Sequence, residues 1–184
     1  AGGMLALWCE MESAEPLIGE LGLESMAYWQ THHRDIIKNG SLVVAPPRDL
    51  ADLKRFANRT SHYRWVSREE IATLEPDLAG RFETGLFFAD ETHLDPREAL
   101  KALAHKLQAE HGVRFQFNQD IAPQDAPGDR VIDCRGLAAR DVLPDLRGVK
   151  GEMLILRNTE LNLSRPIRML HPRIPVYLVP RADH

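Results

Sequence analysis

The residues able to do chemistry in this chain are scattered. His32 and His33 are neighbours on a segment with helical periodicity, and side chains at i and i+1 cannot point at one metal ion, so both read as surface or interface histidines. His62, His93, His105, His111 and His171 show no HxxxH or HxH spacing, which offers no metal site. No GxSxG elbow presents a serine nucleophile. Cys9 and Cys134 lie far apart without a CxxC, so they form neither a zinc site nor a disulfide framework and fit a reducing cytoplasm. Cys134 ends an apolar run and reads as a packed thiol rather than a reactive one. Asp90, Glu91 and Asp95 cluster, but Asp95 is used as a helix cap and the other two read as turn residues. Spacing alone finds no catalytic centre.

Two glycine-containing segments say more. The run Val131-Ile132-Asp133-Cys134-Arg135-Gly136 reads as a short strand ending at glycine. Such an end by itself suits first an ordinary strand-end turn, and then close approach to something flat or phosphate-bearing. Ala1-Gly2-Gly3-Met4-Leu5 pairs two residues without side chains with a soft apolar pair, which suits either a cofactor wall or a flexible start.

The elements that must position these residues follow from periodicity. Ser13 is a good N-cap and Pro16 falls in the first turn of a helix whose apolar or small residues recur at 14, 17, 18, 21, 25, 28, 29, 32 and 36, ending at Asn39-Gly40. Residues 41–45 (SLVVA) form a continuous apolar run suited to a buried strand. Residues 49–58 read as a short helix with Leu50, Leu53, Phe56 and Ala57 inward, and 63–66 as a strand. Ser67-Arg68-Glu69-Glu70 is a capping box, with Pro76 limiting its helix. Residues 82–94 read as one or two strands around a turn. Asp95-Pro96-Arg97-Glu98 then starts a helix with Leu100, Leu103, Ala104 and Leu107 as its buried stripe, ending at His111-Gly112. Val113, Phe115 and Phe117 alternate with polar residues as a half-buried strand. Further strands are expected at 131–136, 152–156, 167–170 and 176–179, the last two joined by a Pro-rich turn. The expected class is α+β, mainly an antiparallel sheet flanked by helices.

The chain has 184 residues, 43% of them hydrophobic and 27% charged, as in a soluble globular protein. Lys plus Arg number 23 against 27 Asp plus Glu, a net charge of -4 with signs interspersed, which argues against a nucleic acid or anionic membrane surface as partner. No apolar run approaches the ~20 residues needed to cross a bilayer. There is no initiator Met and no basic signal-peptide region, and the chain stops at Arg181-Ala182-Asp183-His184 in what reads as a strand running out. Both ends read as cut from within something longer.

AGGML (1–5), AEPL (14–17), LEPDLAGRFETGLFFADETHLDPREAL (74–100), VIDCRGLAARDVLPDLRGVKGEMLIL (131–156) and LHPRIPVYLVPR (170–181) together resemble the FAD-dependent D-amino-acid oxidase superfamily. Within it they are most similar to the glycine oxidase group of thiamine biosynthesis, collinear over nearly the whole chain. The resemblance implies an FAD enzyme that oxidises the amine of glycine or another small amino acid to an imine and releases hydrogen peroxide, the imine serving thiamine thiazole synthesis. It places Ala1, Gly2, Gly3, Met4 and Leu5 beside the isoalloxazine and pyrophosphate, with Met4 and Leu5 in the flavin-side wall of the substrate pocket. It places Cys134, Arg135 and Gly136 at a strand end against the dinucleotide. Tyr177 matches a tyrosine on the substrate side, its hydroxyl directed at the substrate carboxylate. Pro175 stands where the family often has His, and Arg173 and Arg181 do not match the family's carboxylate-binding arginines.

The GxGxxG fingerprint and its acidic partner are absent from the sequence. The resemblance therefore implies an internal portion with four parts: a flavin-adjacent loop (1–10), substrate-domain helices and strands (11–122), a remnant of the FAD-binding domain carrying VIDCRG (123–148), and substrate-domain strands (149–184). By itself such a portion is expected to bind FAD weakly or not at all and to be inactive. Its expected partners are a small amino-acid substrate and the rest of its own FAD domain, with a homo-oligomer compatible, in the cytoplasm. The alternatives are a sarcosine or D-amino-acid oxidase or dehydrogenase, or a non-catalytic dimerising module. The last requires exposed apolar patches of several hundred Å².

Overall fold

A computed structural model of the chain describes residues 2–12 and 14–181. Ala1, expected near the flavin, and Ser13, expected as a helix cap, lie outside the described residues. The chain divides into two compact units, Ala1–Lys106 with Ile155–His184, and Leu107–Leu154.

The first unit is built on two sheets. In the smaller, β1 (Met4–Leu5) pairs antiparallel with β5 (Thr92–His93). The larger contains β2 (Ser41–Val44), β3 (Arg64–Ser67), β4 (Thr84–Phe88), β6 (Ile167–Met169) and β7 (Val176–Leu178), in the order β3-β4-β2-β6-β7. Only β2 and β6 run parallel; the other pairs are antiparallel. Every residue of β2 is buried, because it has a neighbour on each edge and cover on both faces, and this is why its sequence is apolar without alternation.

The pleat sends alternate residues to two cores. On one face Val43, Leu86 and Phe88 meet Leu53, Phe56 and Ala57 of α3 (Leu50–Ala57). On the other, Leu42, Val44, Val66 and Ile167 meet Ile71 of α4 (Arg68–Leu74) and Leu78 of a following 3-10 turn. Burying each such side chain is worth about 1.5–3 kcal/mol. The expected capping box is present at the start of α4. Glu70 N–H donates to Ser67 Oγ at 3.3 Å, and Ser67 N–H donates to Glu70 Oε2 at 2.9 Å.

Three expectations are corrected. A short α1 (Leu7–Glu10) precedes α2 (Pro16–His32), and α2 ends at His33, whose backbone is extended, rather than at Asn39-Gly40. Ile37 then exchanges backbone hydrogen bonds with His93, at 2.9 and 3.0 Å, on the free edge of β5. No residue of α2 is buried. Its contact with α1 runs through positions without side chains: a Cβ on Gly22 would stand 2.5 Å from Leu7 Cδ1, and one on Gly19 3.2 Å from Met11 Sδ. The apolar periodicity therefore does not mark the packed face.

In α5 (Pro96–His111), Asp95 Oδ1 accepts from the backbone of Arg97 at 2.8 Å, the expected cap. Ala99 is the buried position of that helix, and Leu100 of the expected stripe is 64% exposed. The third correction concerns strands. The expected strands at 113–118, 131–136 and 152–156 are not formed. A strand exists only when its N–H and C=O groups find a ladder, and no described residue pairs with these segments. The Leu107–Leu154 unit holds no strand among its described residues, and Phe117 and Ile132 stand exposed there.

Candidate functional site

Gly2–Leu5 run between two other segments of the first unit. The β1–β5 register sets Met4 opposite His93 and Leu5 opposite Thr92. Gly3 has φ +86°, and its carbonyl accepts from Leu94 N–H at 2.9 Å. A Cβ there would stand 2.1 Å from Leu94 O, so only glycine fits. A Cβ on Gly2 would meet Val179 Cγ2 at 3.6 Å, an ordinary contact. Met4 packs against the core around Phe56 and Phe88.

Tyr177 lies across the β6–β7 ladder from Arg168. Its hydroxyl donates to Glu10 Oε1 at 3.2 Å, and the Arg168 guanidinium sits 5.1 Å from its ring centroid. Arg168 also stacks on Phe56 at 4.7 Å, donates to Glu12 Oε2 at 3.1 Å, and donates to the Cys9 carbonyl. Burial pushes the Tyr177 phenol up to about 12, the Glu10 carboxylate adds to the rise and Arg168 opposes it. At neutral pH Tyr177 is a protonated donor, and it has an acceptor.

Beneath α1 lies a buried polar group. Glu91 accepts from Cys9 N–H at 2.8 Å, from the Cys9 thiol at 3.1 Å and from the Ser41 hydroxyl. Glu91 and Cys9 are fully buried. Burial raises the Glu91 carboxyl above its ordinary range, against the hydrogen bonds from Ser41, Cys9 and the Trp8 backbone, and raises the Cys9 thiol well above its own. A thiol held protonated in this way is a donor, not a nucleophile. Glu91 was expected in a solvated turn; it is interior because the fold brings Cys9 and Ser41 to it.

A cavity of about 550 Å³ lies beside β5, with His93 in its wall. Its wall includes His33, Asp35, His93, Arg97, Lys101 and Arg181. Arg181 Nη1 stands 3.6 Å from Asp95 Oδ1, and Lys101 Nζ stands 2.7 Å from Glu98 Oε1. Burial lowers the pKa of His93, which keeps its imidazole neutral. His33, expected at the surface, is 8% exposed, whereas His32 is exposed and stacks on Tyr28.

In the Leu107–Leu154 unit, Arg135 closes on two carboxylates, Asp133 at 2.8 Å and Asp141 at 2.9 Å, and holds both below the usual carboxylate range. Cys134 is exposed, not packed, because the strand expected to bury it is not formed. Gly136 has φ +60°, and a Cβ there would meet nothing within 4 Å. Of the residues that the resemblance sets beside a dinucleotide, Gly3 stands against the Leu94 carbonyl and Arg135 is paired with two aspartates. Gly136 alone faces open space. By themselves the described residues form no cradle for FAD.

Sequence reasoning missed Glu91, Arg168 and Arg181. The only signal for Arg168 is its place inside the strand expected at 167–170, and Arg181 closes the YLVPR segment without matching the family's carboxylate-binding arginines.

No helix among the described residues is long and apolar enough to cross a membrane. Over 183 residues the chain is 50% identical to a Rhizobium etli protein provisionally named thiamine biosynthesis oxidoreductase ThiO, covering 98% of this chain and 55% of the relative. It is 35% identical over 99 residues to a D-amino acid dehydrogenase of Neisseria meningitidis serogroup C, covering 52% of this chain and 23% of the relative. The chain thus spans about half, or less, of the length of these relatives. Glycine oxidase structures from Geobacillus kaustophilus and Bacillus cereus each align at 20% identity and a TM-score of 0.46, over 57% of this chain and 32% of theirs. Residues 1–184 match in full the family described as DAO, FAD dependent oxidoreductase, and the chain belongs to it.

Proposed function

We propose that the chain is part of an FAD-dependent oxidoreductase that converts the amine of glycine, or of another small amino acid, to the imine with release of hydrogen peroxide, in thiamine thiazole biosynthesis. The observation that carries this reading is 50% identity across 98% of the chain to the Rhizobium protein. The chain covers 55% of that relative, so the activity is proposed for the whole protein, in the cytoplasm, and not for these 184 residues alone. Within that protein 1–10 would be a flavin-adjacent loop, 11–122 and 149–184 substrate-domain elements, and 123–148 a piece of the FAD-binding domain. The chemistry that bound FAD supplies is two-electron oxidation, with the protein contributing orientation and electrostatics.

Tyr177 is the residue proposed to hold the substrate carboxylate. Its hydroxyl already donates to a carboxylate, that of Glu10, and Glu10 is exposed. A substrate carboxylate can take the acceptor's place as Glu10 turns to solvent, one carboxylate exchanging for another. Met4 and Leu5 are proposed as the apolar wall beside it, and Gly2, Gly3, Cys134, Arg135 and Gly136 as the residues nearest the cofactor.

The test is the visible spectrum of the full-length protein together with peroxide release from glycine, sarcosine and D-alanine. Flavin absorbance and turnover of glycine are expected; no turnover of glycine overturns the assignment. The similarity to the Neisseria D-amino acid dehydrogenase favours one second reading. D-alanine oxidation without peroxide would select it.

A further inference from the structure

The cavity beside β5 is lined by residues with buried polar atoms that no other described residue satisfies. Among the described residues, five buried side-chain nitrogen or oxygen atoms lack a hydrogen-bond partner, and three of them belong to residues of this one wall: both ring nitrogens of His93 and Nη1 of Arg181. His93 is 1% exposed, and the Arg181 side chain is 5% exposed. A buried donor or acceptor left unmade costs the full desolvation of that group, so such atoms are seldom grouped without a reason. The ion pair of Arg181 with Asp95, at 3.6 Å, compensates its charge but lies beyond hydrogen-bond length. Of the three acids of the wall, Asp95 Oδ1 caps α5 and Glu98 holds Lys101, while Asp35 stands with Arg97 and Arg181 on the same lining. The unpartnered atoms include two donors, Nη1 of the Arg181 guanidinium and the one N–H of a neutral His93 imidazole, whose other nitrogen is an acceptor; Arg97 is also on the lining.

We infer that this cavity is a binding site for a small oxyanion, held by Arg181 and His93. A carboxylate or phosphate oxygen that reaches Nη1 of Arg181 and the imidazole N–H, as the two side chains turn toward the cavity, gains two hydrogen bonds, one of them charge-assisted. A cavity of about 550 Å³ has room for a ligand of several heavy atoms. The inference does not rest on the oxidase reading, because it uses no cofactor and no turnover.

Titration calorimetry of the full-length protein with acetate, inorganic phosphate and pyrophosphate tests it and separates the two sources of oxyanion. Saturable binding of acetate marks a carboxylate site, and binding of phosphate or pyrophosphate a phosphate site. No binding of any of the three up to about 10 mM, a weak-affinity limit, overturns the inference. The decisive variant is His93→Phe, which keeps the bulk and removes both nitrogens. Those nitrogens have no partner among the described residues, so the variant is expected to unfold at the same temperature or higher while binding weakens about tenfold or more. Unchanged affinity in a folded His93→Phe protein overturns the inference. If that variant does not fold, the 15N shifts of the His93 ring in the unmodified protein decide. Movement on saturation with the bound anion supports the site, and no movement overturns it.

Discussion

The Cys9 thiol donates to Glu91 Oε2 at 3.1 Å while the Cys9 backbone N–H donates to the other carboxylate oxygen at 2.8 Å, both residues out of reach of solvent. With the Ser41 hydroxyl as third donor, this carboxylate ties α1 to β2 and to the chain entering β5. Removing it in Glu91→Ala strands buried donors, at about 1–3 kcal/mol for each. Its pH dependence has a definite sign. Burial raises the folded carboxyl above its unfolded value, so its contribution to stability is full below the unfolded pKa of about 4.3 and is lost as pH rises through the folded value. Glu91→Gln cannot ionise and lacks this loss. Urea midpoints of both proteins across the acid-to-neutral range check it; parallel profiles would refute the assignment.

Tyr177 carries the opposite end of the pH scale. Its phenol is pushed up to about 12 by burial and by Glu10, against Arg168. The folded value lies above the unfolded one of about 10, so the stability Tyr177 contributes is complete below that value and fades as pH climbs towards about 12. Tyrosinate absorbance of the native protein is expected to show a late-titrating component that Tyr177→Phe abolishes. A variant with the same late component would show that another phenol is responsible.

How far these sites could be read beforehand depended on whether the deciding partner was local. Ser67 and Glu70 make their capping box within one turn, and Asp95 caps α5 two residues away, so short spacing announced both. The unbroken run 41–45 declared a buried strand through its lack of alternation, and Ser41–Val44 form it with every residue buried. Glu91 could not be read this way. Its donors are 82 and 50 residues distant, and an acid beside Asp90 has the local signature of a solvated turn. Leu17 and Leu21 misled for a different reason, because α2 meets α1 through Gly19 and Gly22, which a hydrophobic pattern does not register. The segment 113–118 has strand composition, but pairing is a property of two segments, and its alternation held no information about a partner.

A second buried carboxylate makes a purely structural prediction. Glu75, fully buried, accepts from Arg165 Nε at 2.8 Å and from the Ser164 hydroxyl at 2.7 Å. Arg165 also donates to the carbonyls of Asn39 at 2.7 Å and Leu74 at 2.9 Å, fixing the end of α4 against the entry to β6. Glu75→Ala leaves a guanidinium 12% exposed without its counter-charge, and a loss of about 3–5 kcal/mol is expected. Replacing both residues with Met is expected to cost less than Glu75→Ala alone, since no charge is then left stranded. Denaturant midpoints of the single and double variants decide, and additive losses would remove the coupling.

Gly2 and Gly3 separate internal packing from approach by a cofactor. At Gly3 the φ of +86° disfavours any L side chain by roughly 1–2 kcal/mol, and the Cβ would overlap the Leu94 carbonyl at 2.1 Å. Gly3→Ala must break the Leu94–Gly3 hydrogen bond and open the β1–β5 pair, so a clear fall in the thermal midpoint of the 184-residue protein is expected with no flavin present. At Gly2 the added methyl meets only Val179 at 3.6 Å, and Gly2→Ala is expected to leave that midpoint within about a degree or two, as for a surface substitution. Flavin content of the full-length protein then reads the other role. If Gly2→Ala preserves the fold yet lowers bound flavin, Gly2 is kept small by the cofactor. Equal loss of midpoint in both variants would instead make both glycines a matter of packing within the chain.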